Sequence, residues 1–277
     1  MYKKILVPVD FSPCSYNALE YAMRFAQKNH SKIVLLHAYH VPIPVAEMEV
    51  YIDVERVSNF EKETKAKMEE LVQTYPQLPA LMEEQVTRTA FAIEAINKQI
   101  EESDCDLVIM GTHGATNTFD ELVGSNTLHT IKQCAVPVLA IPANYQGSEI
   151  QNILFAFDYQ PLESRDDLQP LIEFSQAQGA EVHIVHITDR LDRLHASEIS
   201  QAKMLEQHLK GVPHHYYMME ADHIEDGLME YINKHNIEVI AVMPRKHNVW
   251  DKLFKSSISK QLIHHSTIPI LAFHHQA

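Results

Sequence analysis

Short apolar runs alternate along this chain with longer stretches whose apolar residues return every third or fourth position. Ile5–Asp10 is the first run, a buried strand that ends in an acid. Ser12-Pro13 follows as N-cap and first helical residue, and Ala18, Tyr21, Ala22, Phe25 and Ala26 then mark one helical face. Lys32–His37 supplies a second, branched-rich strand. A strand, a helix and a strand with short joints form a βαβ unit, which brings a parallel sheet. Residues 39–53, with Pro42 and Pro44, read as a loop. Residues 54–75 predict an exposed helix whose stripe is Val57, Phe60, Met68, Leu71 and Val72, beside the solvated charge run Glu61–Lys67. Gln85–Thr89 predicts a third strand, and Ala92–Ile100 a helix with Ile93, Ile96 and Ile100 inward. Leu107–Met110 and Val136–Ile141 complete the set as fourth and fifth strands.

The layout then repeats. Asn152–Asp158 echoes Lys4–Asp10, Val182–His186 echoes Ile33–His37, and Thr267–Ala272 echoes Ala135–Ala140. The spacing between copies shrinks towards the end, so the second copy has lost residues, chiefly between its second and fourth strands. A repeat of this size is a duplicated domain. The expected architecture is two tandem doubly wound α/β domains, each an open, parallel, five-stranded Rossmann-like sheet, over residues 1–145 and 149–277. Polar Asn144–Ser148 marks the boundary.

Composition narrows the function. The 277 residues are 45% hydrophobic, enough for two ordinary cores. A formal net charge of −14 argues against a general nucleic-acid or anionic-membrane surface. It leaves room for a local phosphate site made of neutral amides. Cys14, Cys105 and Cys134 are odd in number and lack metal-ligand spacing, which suits buried thiols in a reducing cytoplasm. Cys14 and Cys134 fall on predicted helices as packing residues. Met1 leads straight into a strand, leaving no room for a secretory signal, and no apolar run is long enough to span a membrane. The 18 histidines include the pairs His214-His215, His264-His265 and His274-His275, but neighbours on a strand point to opposite sides, and no metal site is expected. Ser12, Ser15, Ser125 and Ser257 lack a nucleophile-elbow context.

Three of the chain's seven glycines, Gly111, Gly114 and Gly124, cluster after the fourth strand. Gly111 and Gly114 permit positive φ and close approach of backbone to a ligand. Gly124-Ser125-Asn126 stands where the next helix begins, so free amides and the positive end of the helix dipole would face an anion, with Ser125 and Asn126 adding side-chain donors. Turn geometry alone would also place glycines here. The stretch is neither a Walker A loop nor a Gly-x-Gly-x-x-Gly fingerprint.

Gly111-Thr-His-Gly114, the nine residues Ala115–Val123 and Gly124-Ser125 together resemble the nucleotide motif of the universal stress protein family. Tyr2–Ser12 is similar to that family's first strand and its acidic end. The resemblance implies an ATP-binding α/β fold, with Mg²⁺ as an optional companion of the nucleotide. By the same resemblance Asp10 faces the ribose, Pro8 and Val9 flank the adenine, and Ala38 offers it backbone groups. Gly111, His113, Gly114, Gly124, Ser125 and Asn126 would meet phosphates and ribose, with Met110 beside them. Association through the fifth strands is also implied, so that Val136–Ile141 and Ile268–Phe273 would pair within one chain as a pseudo-dimer, two chains then being free to form a homodimer.

The second copy lacks the motif. Gly124-Ser125 corresponds there to Ser256-Ser257, and Gly111–Gly114 to Met243-Pro244-Arg245-Lys246, whose side chains would obstruct a close backbone approach. One competent site, in the N-terminal half, is the expectation. With no P-loop lysine and no identifiable water-positioning base, the chain reads as an ATP-binding regulatory protein, meeting a protein partner and hydrolysing ATP slowly at most. An ATP-dependent enzyme of a related fold and a nucleotide-free scaffold are the competing readings.

Overall fold

The computed structural model describes residues 2–40, 45–46, 49–50, 54–112, 124–147, 149–157, 162, 164–188, 196–243 and 268–274. In the first half β1 (Lys4–Pro8), α1 (Pro13–Asn29) and β2 (Lys32–Tyr39) form the expected βαβ unit. After it come β3 (Val45–Ala46), β4 (Glu49–Val50), α2 (Val54–Thr74), α3 (Leu78–Leu81), β5 (Met82–Thr89), α4 (Ala92–Ser103), β6 (Leu107–Gly111), α5 (Ser125–Gln133) and β7 (Val138–Ile141). The second half runs β8 (Asn152–Ala156), a 3-10 turn at Arg165–Leu168, α6 (Gln169–Gln178), β9 (Glu181–Thr188), α7 (Ala196–His208), β10 (His214–Glu220), α8 (Ile224–His235), β11 (Val239–Val242) and β12 (Ile270–Ala272).

Strand order is the same in both halves, β5-β2-β1-β6-β7 and β10-β9-β8-β11-β12. All neighbours within a half are parallel, and the order reverses between β1 and β6, and again between β8 and β11. The halves are not two separate sheets. β7 and β12 pair antiparallel, Leu139 opposite Leu271 and Ala140 opposite Ile270, giving one ten-stranded sheet.

Helix α1 starts as its sequence dictates: Ser12 Oγ accepts the Ser15 amide at 3.1 Å, and Pro13, which has no N–H to lose, takes the first helical position. Apolar layers cover both faces of the sheet. One holds α1, Met68 and Leu71 of α2, and α6, and it runs unbroken across the halves, with Phe25 and Phe174 stacked at 6.1 Å. The other lies beneath α4, α5 and α8.

Several boundaries differ from the sequence reading; β1, for one, ends at Pro8, two residues short of Asp10. β2 reaches Tyr39, and the stretch read as loop contains the short antiparallel pair β3–β4. β5 begins at Met82, before the expected Gln85, because an edge strand solvated on one side shows no apolar run. β7 starts only at Val138, since Pro137 has no N–H for the ladder. Cys134 is not helical: it caps α5 in extended conformation, at φ −75° and ψ 134°.

Candidate functional site

A cavity opens at the carboxyl ends of β1, β2 and β6, at the switch in strand order where open α/β sheets leave a crevice. The end of β1 and the two residues after it contribute Pro8, Val9 and Asp10, and β2 contributes Leu36 and Ala38. Met110 and Gly111 come from β6, and Gly124, Ser125, Asn126 and Thr127 from the start of α5. Nine of the eleven residues expected at a site thus line one space; the other two, His113 and Gly114, lie outside the described residues. So do Asp158 and, apart from Met243, the second copy's counterparts of the motif. Ser15, Leu36, Ala92, Ile96 and Thr127 join the lining unforeseen. Ala92 and Ile96 sit one turn apart on α4, a spacing visible in the sequence but indistinguishable there from ordinary core.

The acidic side is held by short bonds. Val9 donates its amide to Leu36 O at 2.8 Å, and His37 Nδ1 lies 2.7 Å from Val9 O. Burial pushes the His37 imidazole below its ordinary range, so the neutral ring donates Nδ1–H to that carbonyl. Asp10 Oδ1 accepts the Ser12 amide at 3.1 Å. The carboxylate therefore sits two residues ahead of the helix cap, and the cap itself is Ser12.

The opposite side is a helix start. Gly124 donates to Thr112 O at 2.7 Å, which ties residue 124 to the end of β6 and uses its amide. Thr127 Oγ1 donates to Gly111 O at 2.9 Å. The first intrahelical bond is Leu128 N–H to Gly124 O, so the helix itself leaves the amides of Ser125, Asn126 and Thr127 unused, and no acid in the first turn offsets the dipole.

Positive φ is not what Gly111 and Gly124 provide. Gly124 has φ −59°, and Gly111 is absent from the positive-φ glycines, Gly179 and Gly211. A Cβ at Gly111 would stand 2.8 Å from Cys14 Sγ and 3.0 Å from Cys14 C and O. The glycine lets α1 press against β6, which brings the two cavity walls together.

No group of three histidine, cysteine, aspartate or glutamate residues among those described could hold a metal. Burial pushes the thiols of Cys105 and Cys134 up to about 12 and about 11, so neither is a thiolate near neutral pH. Ser15 Oγ donates to Ser12 O at 2.9 Å and has no base beside it among its hydrogen-bond partners. No helix among the described residues is long and apolar enough to cross a membrane.

A duplicated, doubly wound α/β chain with a crevice at its switch point, walled by one carboxylate and one helix start, is the class of protein this fold defines. The chain belongs to the universal stress protein family, whose family model matches residues 1–142 and again residues 149–274. Universal stress protein MJ0577 of Methanocaldococcus jannaschii is 29% identical over 155 residues, covering 51% of this chain and 95% of that protein. Universal stress protein A homolog 1 of Coxiella burnetii is 28% identical over 142 residues, 50% of this chain and 96% of its own. A solved universal stress protein from Archaeoglobus fulgidus matches the whole architecture, with a TM-score of 0.68 and 19% identity over 98% of this chain and 96% of that one.

Proposed function

We propose that this is an ATP-binding regulatory protein with one competent nucleotide site, in the N-terminal half. One domain corresponds to each half, 1–145 and 149–277. The observation that carries the reading is the convergence, on one cavity, of the Asp10 carboxylate from just past β1 and the first-turn amides of α5, which have no backbone acceptor among the described residues. Those amides suit phosphate oxygens, and the carboxylate at the far wall suits ribose hydroxyls. Pro8, Val9 and Ala38 then border the base, and Gly111, Gly124, Ser125 and Asn126 the phosphates, with His113 and Gly114 assigned there by the motif alone.

Asp10 is the one carboxylate in the described lining, and its Oδ1 already accepts the Ser12 amide. Any Mg²⁺ would thus be held mainly by phosphate oxygens and water. The described lining has no lysine or arginine to stabilise a transferring phosphoryl group, so hydrolysis is slow at most. Three free, buried cysteines suit a cytoplasmic protein. Calorimetric titration of nucleotide-stripped protein tests the reading: one ATP per chain is expected, and Gly124→Val, which crowds the phosphate wall, abolishes it. No heat of binding at millimolar ATP would reject a nucleotide site, and two equivalents per chain would reject a single one.

A further inference from the structure

Among the described residues, four other than glycine have positive φ: Phe11, His30, Asp104 and Asn236. Three of them are helix C-caps, where a left-handed residue is routine: His30 ends α1, Asp104 ends α4 and Asn236 ends α8. Phe11 is different. At φ 63° it stands between β1 and α1, directly after Asp10, and a phenylalanine is a costly residue to keep in that region.

Its surroundings keep it there. The ring lies against His37, with centroids 4.4 Å apart, and Lys67 Nζ of α2 is 5.9 Å from its centroid. His37 is in turn fixed to Val9 O, one residue before Asp10. The turn at Phe11 also folds the chain back so that Ser12 N–H reaches Asp10 Oδ1 across it. Rotating Phe11 into an ordinary region would break that bond and let the carboxylate swing away from the cavity. The ring is packed against the apolar layer and does not line the cavity, so it acts through Asp10.

We infer that Phe11 is a positioning residue: its left-handed backbone, held by His37 and Lys67, aims the Asp10 carboxylate at the sugar, and the site thereby selects ribonucleotides over deoxyribonucleotides. This rests on the nucleotide reading of the cavity. Glycine and asparagine adopt the left-handed region readily, alanine poorly without a ring to hold it, and valine worst. Selectivity should follow that order and not side-chain size.

The test compares wild type with Phe11→Gly, Phe11→Asn, Phe11→Ala and Phe11→Val. Affinities for ATP, 2′-deoxy-ATP and 3′-deoxy-ATP are measured by calorimetry, with melting temperature and exchange of the Ser12 amide followed in parallel. The Gly and Asn variants should keep the wild-type ribose preference within about threefold, while Ala and Val lose about tenfold of it, whatever their melting temperatures. A preference that tracks ring size or thermal stability, or a wild type indifferent to the sugar hydroxyls, overturns the inference. If wild type binds no nucleotide, the site reading fails separately, and the Ser12 amide still decides Phe11's role. Its protection in Gly and Asn but not in Ala and Val supports the positioning, and equal protection in all four rejects it.

Discussion

A single added carbon at Gly111 would meet Cys14 Sγ at 2.8 Å and the Cys14 backbone at 3.0 Å. The sulfur is buried and held between Thr112 Oγ1 and Ile141 O, so it cannot simply swing aside. Gly111→Ala should therefore destabilise the protein by about 1–3 kcal/mol, the usual cost of overpacking a tight contact. Adding Cys14→Ala should restore part of this and not all, because the main-chain atoms stay where they are. Urea unfolding of the three variants measures it, and full rescue would show that only the sulfur was in the way. The sequence made the need for a glycine plain, but not the reason. Spacing reveals that a side chain is unwelcome; it does not say whether a ligand or a helix 97 positions earlier, at Cys14, takes the space. Asp10 is the converse case: an acid close behind the first strand was legible, though the strand stops at Pro8, and the turn that aims it was not, since nothing in the letters Asp-Phe-Ser announces φ 63° at the middle one.

Elements at matching places in the two halves are stitched by different chemistry. Where α4 covers β2 and β5, Arg88 donates to Gln99 and Glu102, and Gln99 and Ser103 donate to Glu84 Oε2. Where α8 covers β9 and β10, His183 Nδ1 lies 2.8 Å from the Tyr231 hydroxyl and Nε2 lies 2.9 Å from Glu181 Oε1. Asn152 of β8, His215 and Tyr217 of β10, and His235 of α8 surround the same ring. With the proton on Nε2 facing the carboxylate, Nδ1 of the neutral ring accepts from Tyr231. Burial pushes His183 below the usual histidine value of 6.5, outweighing the pull of Glu181. The unfolded chain then takes up the proton first. Stability is complete above about pH 6.5 and falls as the pH drops from there to the folded value, with His37 adding to the same trend. The urea midpoint of wild type should therefore drop more than that of His183→Gln between about pH 7.5 and about pH 5, and equal drops would exclude His183 as a source. β9 was readable as a strand because its run is apolar. The cluster was not, for its members are polar residues on four separate elements.

At the scale of the whole molecule, the duplication was visible in the echoing strands, and the family resemblance implied that the two fifth strands would meet. Hidden from the sequence was how far the halves share an interior. Phe25 and Phe174 look like the core residues of two unrelated helices, yet they stack on each other across the divide. Tyr2 Oη donates to Pro170 O at 3.0 Å, and Lys28 Nζ to Gln178 O at 2.9 Å, so α6 is held at one end by a residue just before β1 and at the other by the end of α1. The connection after β7 is tied down as well: Asn17 Nδ2 donates to Pro142 O and Tyr145 O, and Tyr145 packs on Tyr21. With Leu139 and Leu271 fully buried against each other's strands, the antiparallel seam lies inside a continuous core and removes two sheet edges that would otherwise invite aggregation. A covalent link should then be dispensable once the chain has folded. A protease site placed between Gly147 and Glu149, cut in the native protein, should leave two fragments that co-elute at the size of the intact chain and unfold in one transition. Fragments that separate on dilution would mean that the shared layer contributes little beyond what each half holds alone. Adding Leu139→Ala, which opens a cavity at the seam for about 2–5 kcal/mol, should let the cut halves part at concentrations where the unmodified pair stays together.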